Sequence, residues 1–204
     1  MPALDPPASE SGPAAMPVRW IWLPRQHGVA AEAQARGWLA TQLELSADAV
    51  PLYRDDGRRP WLGAPLAARD INWSHSGEGL LVALGETGLR VGADLEWRRP
   101  RPRAMALARR WFTATENAWL DSMADEQARE QAFLRLWCAK EAVLKAHGRG
   151  IAFGLDRLSF SDGPHGLRLV ECHPELGRPD AWSLAEIAPA PGYLGTLAWR
   201  RSES

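Results

Sequence analysis

Apolar and polar positions along the chain switch between a two-residue and a three-to-four-residue period, which marks alternating strands and helices. Residues 18–23 ("VRWIWL") read as a first strand, and residues 30–45 ("AAEAQARGWLATQLEL") have helical spacing with Trp38, Leu39 and Leu43 on the apolar side. Residues 51–65 read as a loop of turn-forming residues. "INWSHS" then leads into "GLLVALG", a "GETG" turn and "LRVGADLEW". Two apolar runs joined by a short glycine-bounded turn predict a β-hairpin. After Pro102, "RPRAMALARRW" reads as a helix, and in "FTATENAWL" Thr113 and Glu116 fit a capping box that opens the next one. A longer helix runs from about Glu126 to His147 and stops at Gly148. Three strand-like runs follow, "RLSFSD", "LRLVEC" and "YLGTLAWR". Each half of the chain therefore offers helix plus strands, which predicts an α+β fold.

At 204 residues and 46% hydrophobic, the chain has apolar material for one large domain or two small ones. A formal net charge of −1 argues against a general nucleic-acid binder. Cys138 and Cys172 have no metal-ligand spacing and imply no disulfide framework, which fits a reducing cytoplasm. No apolar run reaches the roughly 18 residues of a membrane span. The opening "MPALDPPASESGPAAMP" has no basic region followed by an apolar one, so no secretory signal is expected there. It is too poor in large apolar residues to pack, and residues 1–16 are expected to form a disordered tail.

Charge changes the picture in one place. Of 24 basic residues only Lys140 and Lys145 are lysine, and both lie in "LWCAKEAVLKAHG". On a helix, Phe133, Trp137 and Leu144 form a narrow apolar stripe with Lys140 inside it, while Glu141 and Lys145 lie along its other edge. A charge inside an apolar stripe needs a partner or an opening to a ligand. Glu141 and Lys145 could simply be an i, i+4 helix pair. Alternatively, a lysine is a compact point charge suited to a phosphate. In "VGADLEW", strand alternation puts Val91, Ala93, Leu95 and Trp97 on one face and Gly92, Asp94 and Glu96 on the other. Two carboxylates at i and i+2 are either a solvent-facing edge or ligands for a hard cation such as Mg²⁺. "NWSHSG" has no nucleophile-elbow pattern around Ser74 or Ser76, and there is no Walker loop or dinucleotide fingerprint.

In chain order, "GRRP", "NWSHSG", "GADLE", "FTATE" and "WCAKEAVLKAHGRG" resemble the motifs of the surfactin-type 4′-phosphopantetheinyl transferases, over about three-fifths of the chain. The last motif is met by Trp137, Lys140, Glu141, Ala142 and Lys145. The resemblance implies two similar α+β halves about a pseudo-twofold axis, residues 17–100 and 101–204, in a monomer with coenzyme A between them. It implies a Mg²⁺ site made of Asp94, Glu96 and Glu141, with Lys140 and Lys145 on the coenzyme phosphates. His75 and Ser74 match a phosphate-contacting histidine and the serine beside it. Arg58 and Arg59 stand where the family has one basic residue before proline, Arg59 being adjacent to Pro60, and Arg36 matches a basic position on the first helix. The implied reaction moves the phosphopantetheine arm of coenzyme A to a serine of an apo acyl or peptidyl carrier protein and releases 3′,5′-ADP. Glu141, Lys145 and His75 are the expected catalytic groups, with Glu141 or a metal-bound water taking the serine proton. The carrier could serve fatty-acid, polyketide or nonribosomal-peptide synthesis. A coenzyme A pyrophosphate hydrolase and a non-catalytic coenzyme- or carrier-binding module would share parts of this pattern.

Overall fold

The computed structural model describes residues 16–56 and 59–202. The expected disordered tail, apart from Met16, and Arg58 lie outside them. Met16 itself packs against a buried cluster that includes Val18 and Leu81.

The first strand, β1 (Val18–Pro24), is followed by α1 (Ala31–Leu43), β2 (Leu52–Arg54), β3 (Pro60–Leu62), β4 (Ile71–Ser76), β5 (Gly79–Gly85) and β6 (Leu89–Trp97). Three helices come next: α2 (Ala104–Trp111), α3 (Ala114–Asp121) and α4 (Glu126–His147). The chain ends with β7 (Leu158–Gly163), β8 (Gly166–Cys172), β9 (Ser183–Ile187) and β10 (Tyr193–Arg201). The expected α+β class holds. Strand order is β1-β5-β4 in one antiparallel sheet and β6-β10-β9 in another, with two-stranded β2-β3 and β7-β8 ladders.

β5 is buried along its whole length. Leu80 and Val82 pack with Ile21 and Ala35, Leu84 joins Leu39, and Leu81 and Ala83 meet Val91, Ala93, Leu95 and Leu197. Burial on both faces is why "GLLVALG" reads as a continuous apolar run. Each such leucine or valine contributes about 1.5–3 kcal/mol of transfer free energy.

The predicted hairpin between residues 79–85 and 89–97 is not formed. Both edges of β5 are taken, by β1 and β4, and β6 pairs instead with β10 from Leu89↔Arg201 to Trp97↔Tyr193. β6 therefore lies within 17–100 yet is laddered to the end of the chain. The segment read as a loop, 51–65, contains β2 and β3, each too short to display alternation. β9 ("SLAEI") was not anticipated, having few strand-favouring residues.

α4 has the predicted ends: Asp125 accepts from the Ala128 N–H at 2.7 Å, and Gly148 closes the helix at φ 97°. Its apolar surface is far wider than a stripe, since Ala132, Leu134, Leu136, Ala139, Ala142, Val143 and Ala146 are also buried. The capping box at Thr113 and Glu116 is present on α3. β6 crosses α4 at Gly92, where a Cβ would stand 1.9 Å from the Ala142 carbonyl oxygen. Only glycine permits that approach.

β4 and β6 are joined by side chains rather than by a backbone ladder. The N–H groups of Val91, Ala93 and Trp97 donate to Asp70 Oδ2 (2.8 Å), Asn72 Oδ1 (3.1 Å) and Ser76 Oγ (3.1 Å). Asp70, just before β4, and Asn72 and Ser76 within it thus supply the acceptors that hold β6.

Candidate active site

The crossing of β6 over α4 brings Asp94 and Glu96 to the face that carries Glu141 and Lys145. Lys145 Nζ lies 2.6 Å from Asp94 Oδ1 and donates to Ser74 Oγ at 3.0 Å, and that hydroxyl donates to Asp94 Oδ1 at 2.9 Å. Ser76 Oγ donates to Glu96 Oε2 at 3.0 Å, and Arg101 Nη2 pairs with the same oxygen. Lys145 is therefore not simply the i, i+4 partner of Glu141.

Three carboxylates face two cations here, and the imbalance shows in the acidities of Glu141 and Glu96. Burial, then the Asp94 and Glu96 charges, push Glu141 up to about 7, with Lys145 opposing. Burial and Asp94 raise Glu96, against Arg101 and Ser76. Burial disfavours the charged form of Lys145, but Asp94 and then Glu141 outweigh it and raise its pKa above the ordinary value. Cys138 is buried beside Asp94; burial and the two acidic neighbours raise its thiol well above the ordinary value, so it is no thiolate nucleophile.

The donor set fits a hard divalent cation. Asp94 Oδ2 is buried and has no hydrogen-bond partner, although a buried carboxylate oxygen ordinarily has one. Burial and two like charges raise the pKa of Glu141, a tension that a cation relieves. Among the described residues no three His, Cys, Asp or Glu side chains are grouped closely enough, as they stand, to hold a metal ion. Lys145 and Arg101 stand on two of the three carboxylates instead.

Lys140 requires a correction. It was expected on the coenzyme phosphates, but its side chain is 0% exposed and pairs with Glu116, also 0% exposed, at 2.7 Å. The ammonium further donates to the carbonyls of Leu155 (2.8 Å) and Leu158, and lies 5.0 Å from the Phe112 ring centroid. Glu116 in turn accepts from the N–H groups of Thr113 and Phe160 and from the Thr113 hydroxyl. One turn of helix separates two lysines with different tasks: Lys140 locks α4 to α3 and β7, and Lys145 faces the carboxylates.

Arg36 is not brought to this cluster; its fork donates to the Val50 (2.7 Å) and Leu52 (3.1 Å) carbonyls. Arg59 is nearly buried and pairs with Asp70, while its Nε donates to the Lys145 carbonyl at 3.1 Å. It reaches one wall of a cavity of about 200 Å³, lined also by Arg54, Pro60, Asn72, Trp73, Lys145, Gly148 and Gly150. Larger cavities, of about 650 and 710 Å³, contain none of the cluster residues. His75 is exposed, and alternation along β4 turns it to the face opposite Ser74. Burial, Arg25 and Lys145 lower its pKa, so the imidazole is neutral at pH 7.

Asn72, Ser76 and Arg101 were not singled out from the sequence. The first two had a signal, the polar alternation Asp70, Asn72, Ser74, Ser76. Arg101 had none, being one of many arginines in its segment.

Comparisons with known proteins identify the family. Residues 90–196 match the family model described as the 4′-phosphopantetheinyl transferase superfamily, a stretch that holds β6, α4 and β7. The 4′-phosphopantetheinyl transferase HetI of Nostoc sp. is 32% identical over 176 residues, covering 85% of this chain and 70% of its own length. AcpT of Salmonella typhimurium, also a 4′-phosphopantetheinyl transferase, is 35% identical over 162 residues, 77% of this chain and 78% of its own. The slr0495 protein of Synechocystis sp. is 32% identical over 152 residues, and the chain spans 56% of its length. With all three carboxylates, both lysines and the capping-box glutamate inside the matched stretch, the chain belongs to the 4′-phosphopantetheinyl transferase superfamily.

Proposed function

We propose that this protein transfers the 4′-phosphopantetheine arm of coenzyme A to a serine hydroxyl of an apo acyl or peptidyl carrier protein, as a monomer of the surfactin type or of the holo-carrier-protein synthase type. The observation that carries the reading is the meeting of Asp94, Glu96, Glu141 and Lys145 where β6 crosses α4. The serine oxygen forms a bond to the pantetheine-side phosphorus, the bond from that phosphorus to the bridging oxygen breaks, and 3′,5′-ADP leaves.

Asp94, Glu96 and Glu141 would hold Mg²⁺, whose charge would offset that of the pyrophosphate oxygens and of the leaving phosphate. Lys145 adds a second positive charge at the edge of the cavity, fixed in place by Asp94 and Ser74. Such preplaced charges need no reorganisation as the transition state forms. Glu141 would accept the serine proton; its raised pKa of about 7 belongs to the cluster without a cation. The cavity, of about 200 Å³, would admit only part of a coenzyme A molecule, and Arg54 and Trp73 on its wall would meet one end of it. His75, neutral, would offer a hydrogen bond to a phosphate rather than a charge. In this reading the coenzyme lies between two halves related by a pseudo-twofold axis. The two unpaired cysteines suit a reducing cytoplasm.

The test is incubation with Mg²⁺, coenzyme A and a panel of apo fatty-acid, polyketide and nonribosomal-peptide carriers, followed by intact-mass measurement. A gain of one phosphopantetheine on any carrier is expected. Release of 3′,5′-ADP without a gain on the carrier would identify a hydrolase, and coenzyme binding without either would identify a binding module.

A further inference from the structure

Arg101 lies in the segment between β6 and α2, where its backbone N–H donates to Glu130 Oε1 at 3.1 Å. Its Nη2 pairs with Glu96 Oε2, and its Nε is buried with no hydrogen-bond partner. Burying an unsatisfied donor is unfavourable, so the present seating of the guanidinium is incomplete. The free Nε–H also belongs to the planar fork through which arginine grips phosphate in two-point fashion. The groups facing it are Glu96 itself, Ser76 on the same carboxylate oxygen, and Asp94 alongside. A cation bound by Glu96 would compete with Arg101 for this carboxylate.

We propose that Arg101 is an exchangeable counter-ion, holding Glu96 until a divalent cation takes that carboxylate and then turning its freed fork onto the pyrophosphate of coenzyme A. The inference rests on reading the carboxylate cluster as a cation site. Arg101 is thereby a substrate-binding residue whose availability depends on cation occupancy. Cation and coenzyme then bind with positive coupling, because each is favoured by the same movement.

The experiment measures Mn²⁺ binding by electron paramagnetic resonance at pH 8 for the full chain and its Arg101→Gln and Arg101→Lys variants. Coenzyme A affinity is then measured at saturating Mn²⁺, with circular dichroism to confirm folding. Without the competing cation, Arg101→Gln is expected to bind Mn²⁺ roughly fivefold more tightly, the scale of losing a partly exposed ion pair. It should bind coenzyme A at least about tenfold more weakly, the loss of a charge-assisted hydrogen bond. Arg101→Lys should fall between wild type and Arg101→Gln on both scales. A merely structural arginine would not move the two affinities in opposite directions. Unchanged or weaker Mn²⁺ binding in Arg101→Gln, with wild type binding normally, overturns the exchange and leaves the transferase reading intact. Tighter Mn²⁺ binding with unchanged coenzyme affinity overturns the phosphate contact. If neither wild type nor variant binds Mn²⁺, the cation reading fails and this inference with it.

Discussion

Replacing Lys140 by methionine separates the two lysines. The substitution keeps the length and apolar stem of the side chain but removes an ammonium that meets Glu116 and two backbone carbonyls in a site with no solvent exposure. Glu116 would remain among its N–H donors without its counter-charge. Breaking a buried pair in this way costs about 3–5 kcal/mol. For a chain of this size each kcal/mol lowers Tm by about 2–4 °C, so a fall of roughly 6–20 °C is expected. Glu116→Gln should cost a similar amount. The double variant should be less destabilised than the sum of the two, because removing the second partner no longer strands the first. Urea unfolding of all four proteins measures the cycle. Alongside it, coenzyme A affinity below the melting transition should be near normal in Lys140→Met, since the side chain reaches no ligand. A Lys140→Met protein that melts like wild type but has lost coenzyme binding would refute this reasoning and return Lys140 to the phosphates.

Two further outcomes follow from the cluster. Glu141 titrates near 7 in the fold against an ordinary 4.5, so the unfolded chain releases this proton first. Its contribution to stability in EDTA is greatest below about 4.5 and declines as pH rises to about 7. Glu141→Gln should flatten that decline in a pH series of unfolding curves; an unchanged slope would show that Glu141 is not under strain. Gly92→Ala would drive a methyl into the Ala142 carbonyl, 1.9 Å from the ideal Cβ, forcing β6 from α4. Overpacking of this kind costs about 1–3 kcal/mol, and the displaced Asp94 and Glu96 should also weaken Mn²⁺ binding. Wild-type stability and cation affinity in Gly92→Ala would mean that the crossing has slack.

The elements that read correctly from the sequence were those with local signals. α4 has an Asp125 N-cap and a Gly148 stop, and the α3 capping box follows from four residues. What failed was non-local. Nothing in "GETG" reveals that β5 already has two ladder partners, so the hairpin was a sound inference with the wrong partner for β6. The carboxylates, Glu141 and Lys145 were found because their motif spacing is legible. The fate of Lys140 depended on Glu116, 24 residues earlier and on another helix. A charge inside the apolar stripe of α4 needs a partner or a ligand, and for Lys140 the structure supplies a partner. Arg101 and the Asn72–Ser76 acceptors act through groups brought together only by the seam between β4 and β6, beyond the reach of periodicity.

The most direct test of the account is single-turnover transfer to an apo carrier protein, followed by intact mass, for wild type and Asp94→Asn. Asp94 joins β4, β6 and α4 through Ser74 and Lys145, and its second oxygen is the unpartnered one. Wild type with Mg²⁺ and coenzyme A should convert at least one carrier to its phosphopantetheinylated form. The near-isosteric Asp94→Asn, folded by circular dichroism, should be slower by roughly a hundredfold or more, the scale of losing a key electrostatic group. A wild type that modifies no carrier, or an Asp94→Asn that modifies it at the wild-type rate, would contradict the account.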